Sequence, residues 1–177
     1  MTALSDLLRG RGDPLAAARR AAHTAAPGSP EATDAHILEA SLLLASRVAR
    51  DFEAAVWAYA RLAASPKDAL QERHAPAIRT AVDGDYAGAR PVYDRILEAY
   101  PVDVLSLVVA QVFDYYLGDT TAMQARSARA LEAWPVEAPD YHSVLSLHAF
   151  ALQESGDYDR AEAYARRALE LEPLDLR

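Results

Sequence analysis

Apolar residues in the C-terminal third of the chain fall on one face of a helix. In YDRAEAYARRALEL, Tyr158 to Leu171, the positions Ala161, Tyr164, Ala165, Ala168 and Leu169 follow the i, i+3, i+4, i+7 spacing of an amphipathic helix. Glu162 with Arg166, and Arg166 with Glu170, form i, i+4 pairs on the polar side. Pro173 then stops the helix, since its ring and missing N–H cannot continue one. The same template fits Tyr86 to Tyr100, with Ala89, Tyr93 and Ile96 inward and Pro101 as the stop. It fits Thr120 to Trp134, with Met123, Ala130 and Leu131 inward and Pro135 as the stop.

Each of these helices is announced by the same turn. Gly84-Asp85, Gly118-Asp119 and Gly156-Asp157 precede them, with glycine spacings of 118 − 84 = 34 and 156 − 118 = 38. A helix–turn–helix rhythm with a period near 34 is the signature of tetratricopeptide repeats. Stepping back 34 from Gly84 reaches Arg50, and Phe52, Ala55, Tyr59 and Leu62 repeat the inward pattern up to Pro66. Arg50 in place of glycine marks this unit as degenerate, in the right phase.

The expected fold is therefore all-α: a tetratricopeptide-repeat α-α superhelix, a right-handed solenoid of helical hairpins. Residues 31–177 divide into four hairpins, 36–69, 70–103, 104–137 and 142–175, forming one domain. Residues 1–30 hold an N-terminal helix from Leu15 to Thr24, opened by Pro14, and a linker, AAPGSP. The first dozen residues are expected to fray or form a short helix. Four extra residues within Ala138–Tyr141, including Pro139, predict a longer loop. Contacts should run only between adjacent units, with first helices on the concave face and second helices on the convex face. Tyr86, Tyr93, Tyr158 and Tyr164 are expected to fill the gaps between helices, and Ala89, Ala161 and Ala168 to let backbones approach.

Composition narrows the function. A net charge of −8 over 177 residues, with no basic run, argues against nucleic acid. No cysteine is present, which excludes thiol catalysis, disulfides and cysteine metal sites. No apolar stretch reaches the ~18 residues that span a bilayer, and the N-terminus lacks a signal-peptide layout. No membrane association is expected, and a cytoplasmic location is the default. Leu171, Leu174 and Leu176 near the last residue lack a capping helix. Either another element covers that end or the chain continues in a longer protein, and a homodimer through the uncapped end is a third reading.

From Gln71 to Asp175 the chain resembles the tetratricopeptide repeat protein 38 family. The matching elements are QERHAPAIRTAVDGDYAGARPVYDRILEAYPVDVLSL, VFDYYLGDTTAM and ESGDYDRAEAYARRALELEPLD, in that order, with the long loop after Trp134-Pro135. The segment from Asp34 to Pro66 fits more loosely. The resemblance implies a longer parent protein that continues into histidine-rich helices. No activity of that family maps onto residues present here.

The residues themselves offer no enzyme site. His142 and His148 are six apart, about 120° around a helix, so they do not share a metal as an i, i+4 pair would. His23, His36 and His74 are likewise expected to be structural. Asp83-Gly84-Asp85 lacks the further ligands of a calcium loop. Arg11-Gly12-Asp13 carries no weight as an adhesion tripeptide in a cysteine-free chain. No nucleophile elbow, phosphate loop or dinucleotide fingerprint occurs. No cofactor, metal or catalytic residue is assigned.

The concave face carries the functional expectation. Ile37, Leu44, Arg47, Gln71, His74 and Ile78 should point into it from the first two hairpins. Leu105, Val108, Val112, Tyr115, Phe150 and Gln153 should do so from the last two. Chaperone-binding repeat proteins carry a carboxylate clamp of lysine, asparagine and arginine at such positions, and this chain does not. A groove this apolar suits the buried face of an amphipathic helix. The leading expectation is a non-enzymatic interaction scaffold for a protein or peptide segment. Its occupant could equally be the C-terminal half of its own parent chain. The alternative is the N-terminal scaffold half of an enzyme whose active site lies beyond Arg177.

Overall fold

A computed structural model of the chain describes residues 13–46, 48–138 and 140–173. Among them nine α-helices and no strand occur. They are α1 (Pro14–Thr24), α2 (Pro30–Leu44), α3 (Ala49–Ala64), α4 (Ala69–Val82) and α5 (Tyr86–Ala99). There follow α6 (Val104–Tyr116), α7 (Thr120–Ala133), α8 (Tyr141–Glu154) and α9 (Tyr158–Leu171). Each helix packs against the next in chain order, as a helical repeat requires. The expected behaviour of the first dozen residues and the position of Pro139 lie outside the described residues.

The Gly-Asp pair builds the repeated turn by two local requirements. Glycine supplies a left-handed residue, with φ of 87° at Gly84, 69° at Gly118 and 83° at Gly156. That geometry returns two N–H groups onto the last turn of the preceding helix. Gly84 N bonds Ala81 O and Asp85 N bonds Thr80 O; Gly118 and Asp119 bond Tyr115 O and Asp114 O. Gly156 and Asp157 bond Gln153 O and Leu152 O in the same way. At the first two turns the aspartate then caps the next helix, Asp85 accepting from Gly88 N at 2.7 Å and Asp119 from Ala122 N at 3.0 Å, while Asp157 pairs with Arg160 instead.

Where glycine is missing the turn differs. Around Arg50 the chain leaves α2 at Ala45, whose N–H bonds Ser41 O, and α3 starts at Ala49. This is three residues ahead of the register position Phe52. At the other end α2 starts at Pro30, six residues before the expected His36. Ser29 caps Ala32 N at 3.2 Å, and Pro30 sits where a missing N–H costs nothing. The linker is correspondingly shorter.

Packing is not confined to adjacent hairpins. Helix α2 lies against α1, α3 and α4, and it also reaches α6, two hairpins on. Tyr116 at the end of α6 donates its hydroxyl to Ala45 O at the end of α2. Gln71 of α4 donates to Pro30 O at 3.1 Å and to Asp34 Oδ1 at 2.7 Å. One core therefore gathers Ile37, Leu43 and Leu44 of α2, Ile78 of α4, Tyr93 and Ile96 of α5, and Leu105 and Phe113 of α6. A second joins Val104 and Leu107 of α6 to Ala130, Trp134, Val144, Leu145 and Ala168. Helix α6 is the wall shared by both.

Candidate functional site

The inner face expected to form an open groove is closed over its first half. Ile37, Leu44, Gln71, His74, Ile78 and Leu105 are all buried. They are core residues and are corrected as such: α2 covers the face that a partner would need. His74 is held there by Asp103, Nε2 to Oδ2 at 3.1 Å, and not offered to a ligand. Burial pushes the Asp103 carboxyl up, but the His74 bond and charge, with the Ser106 hydroxyl and N–H, outweigh it and leave it below the usual carboxylate range. Arg47 lies outside the described residues. Val108, Val112 and Tyr115 are half-buried, and only Phe150 and Gln153 are exposed.

The open surface that does exist lies at the last hairpin. Phe150 and Gln153 of α8 join Ser146 and Ala149 of α8 with Tyr158, Ala161, Glu162, Ala165 and Leu169 of α9 around a cleft of about 400 Å³. Tyr158 is 68% exposed and Leu169 46%. Tyr158 was expected to fill a gap between helices and is corrected here, and Leu169, on the apolar stripe of the helix, is exposed with it: no described element packs on that side of α9. Phe150 rests on Tyr115 of α6, ring centres 5.4 Å apart, so its outer side is presented by a packed neighbour.

The earlier hairpins show what such a face receives. Positions 158, 162 and 165 of α9 correspond, 72 residues back, to Tyr86, Arg90 and Tyr93 of α5. There Tyr86 packs on Phe113 of α6 at 4.7 Å between ring centres, and Tyr93 on the same ring at 6.0 Å. Arg90 Nη1 lies 2.9 Å from Asp114 Oδ1, also on α6. In α7 the position matching Ala165 is Ser127, whose Oγ lies 2.9 Å from His148 Nδ1 of α8. At both earlier places the following helix occupies the face.

A larger cleft, about 540 Å³, lies between α5 and α7 and is lined by Asp94, Glu98, Arg126 and Arg129 among others. Its charges already serve one another. Asp114, fully buried, accepts from Arg126 Nε at 3.0 Å and from Arg90, and Arg126 also pairs with Asp94. Glu39 plays a similar part earlier, buried between Arg19 at 3.2 Å and Arg61 at 2.6 Å. Such pairs cannot lose one member cheaply, because the other would stay buried and charged. They weld helices together, and sequence reading missed them because their members lie 12 to 32 positions apart.

Among the described residues no group of three or more histidine, aspartate or glutamate side chains is placed to hold a metal ion. No helix among them is long and apolar enough to cross a membrane. No protein-family model matches the chain, and no solved structure matches it significantly.

Proposed function

We propose that the hairpins form a tetratricopeptide-type stack and that the chain is a protein-interaction module. Its binding surface is the open α8–α9 face, and its ligand is a helical segment laid against Tyr158, Ala165, Leu169 and Phe150. The observation that carries this reading is the contrast between Tyr86 and Tyr158. The same register position is covered by a helix at α5 and is 68% exposed at α9. An apolar surface of this kind, rimmed by Gln153 and Glu162, is suited to burying the apolar stripe of an amphipathic helix.

The test uses a helix that already fits such a face. A labelled peptide with the sequence of residues 104–117, carried on a soluble fusion, is titrated against the full chain. Saturable binding is expected, and Ala165→Arg, which fills the cleft with a good helix former, should weaken it about tenfold or more while circular dichroism stays unchanged. Binding that ignores Ala165→Arg would remove the assignment.

A further inference from the structure

We propose that the pocket enclosed by α1, α2 and α3 binds a small tetrahedral oxyanion, a phosphate or sulfate group. This site stands apart from the α8–α9 face and does not depend on that reading.

Charge sets the pocket apart from the rest of the chain. The chain as a whole carries −8. Yet this cavity of about 240 Å³ is lined by Arg19 and His23 of α1, His36 and Glu39 of α2, and Arg61 of α3. A single acid there meets two guanidinium groups and two imidazoles. The volume falls below the roughly 300–1,000 Å³ of sites for drug-sized ligands and suits one compact group.

The hydrogen bonding leaves donors spare. Glu39, whose side chain is 7% exposed, meets Arg19 Nε at 3.2 Å with one oxygen and Arg61 Nη2 at 2.6 Å with the other. A guanidinium carries several N–H donors in a fixed plane. Each arginine commits one group to Glu39 and bonds no other described residue. Both side chains are close to half-exposed, so their remaining N–H groups are within reach of a solute. Glu39 therefore orients two forks without saturating them, and such forks match the oxygens of phosphate and sulfate. Glu39 also sets the limit on affinity, because it repels a second anion.

His36 is an independent observation. Its Nδ1 is buried without a hydrogen-bond partner. Its pKa is held below the ordinary histidine value by burial first and then by Arg61; Glu39 opposes this and His23 adds to it. Among the described residues none of α4 or α6, which also pack on α2, lines the pocket. An anion would supply the counter-charge that His36 lacks, so its binding and the His36 proton should favour each other. A tetrahedral anion offers oxygens to both forks and to the imidazole at once, which a planar carboxylate does not.

The experiment titrates sulfate into the full chain at constant ionic strength, with chloride as the reference ion, and follows the amide signals of α1 to α3 by NMR. A saturable response is expected, with a dissociation constant of about 1 mM. Glu39→Gln removes the repulsion and should tighten binding about tenfold. Arg61→Lys keeps a cation beside Glu39 but loses the fork, and should weaken binding about fivefold. Sulfate keeps its charge between about pH 8 and about pH 6, and over that fall the natural chain should bind about threefold more tightly, a gain that His36→Gln abolishes. Inorganic phosphate and methyl phosphate then separate the sources of the group: binding of both supports a monoester, and binding of the inorganic ion alone supports the free ion. No saturable response overturns the proposal, and so does binding that Arg61→Lys leaves unchanged. Weaker binding in a folded Glu39→Gln chain would show that the arginines serve Glu39 alone and would overturn it too. An affinity that ignores pH overturns the part given to His36.

Discussion

Ile78 of α4 and Phe150 of α8 hold the same place in their hairpins, 72 residues apart, and meet opposite surroundings. Ile78 is fully buried, while Phe150 is 37% exposed. Val112 of α6, at the position between them, is half-buried. The repeat fixes which way a side chain points from its helix, and the tertiary arrangement fixes whether anything lies there. At the N-terminal side α2 folds over α4 and reaches α6, so inward positions become core. At the C-terminal side no described element covers the face shared by Phe150, Tyr158 and Leu169, so these positions are surface. One sequence pattern thus gives buried core at one end and an exposed apolar face at the other.

The sharpest way to break this comparison is to truncate an aromatic ring on each side. Phe113 is fully buried between Tyr86 and Tyr93. Phe113→Ala should cost about 3–5 kcal/mol in urea denaturation, because a cavity remains where three rings met. Phe150→Ala loses only its contact with Tyr115 and should cost well under half of that. Near-equal losses would mean that the α8–α9 face is covered in solution. A smaller contrast is expected at the turns. Gly84 and Gly156 share a positive φ, and a Cβ on either would meet nothing within 4 Å. Gly84→Ala and Gly156→Ala should each cost about 1–2 kcal/mol, from backbone conformation alone. A markedly larger cost at Gly84 would show that the closed side is sensitive to turn geometry as the open side is not.

These pairs also mark what the sequence could reveal. The Gly-Asp turns were legible because their causes are local: a left-handed residue and a cap two to three positions from the groups they satisfy. The inward stripe of each helix was legible for the same reason. The closure of the inner face was not. Ile37, Leu44 and Ile78 carry the same apolar side chains whether they await a partner or meet their own core. The deciding contacts, such as Tyr116 with Ala45, span 71 positions. The exposure of Tyr158 and Leu169 was hidden likewise, since periodicity shows a face and not its cover.

The smallest expected effect tests whether the two sides answer to pH alike. His36 on the closed side and His148 near the open side both have pKa values held below the ordinary histidine value. For His148 the causes are burial and then the Arg160 cation; for His36 they are burial and then Arg61, opposed by Glu39. Each is therefore favoured in its neutral form in the folded chain. Their contribution to stability is complete above about pH 6.5, the unfolded value, and is lost as pH falls through that value toward the lower folded one. The melting temperature should drop between about pH 7.5 and about pH 5.5. His148→Gln keeps a partner for the Ser127 hydroxyl and should remove part of that drop, and His36→Gln another part. A drop that survives both substitutions would place the pH response elsewhere. A drop removed by His148→Gln alone would show that the α7–α8–α9 junction, the seat of the proposed helix site, is where this fold is most easily loosened.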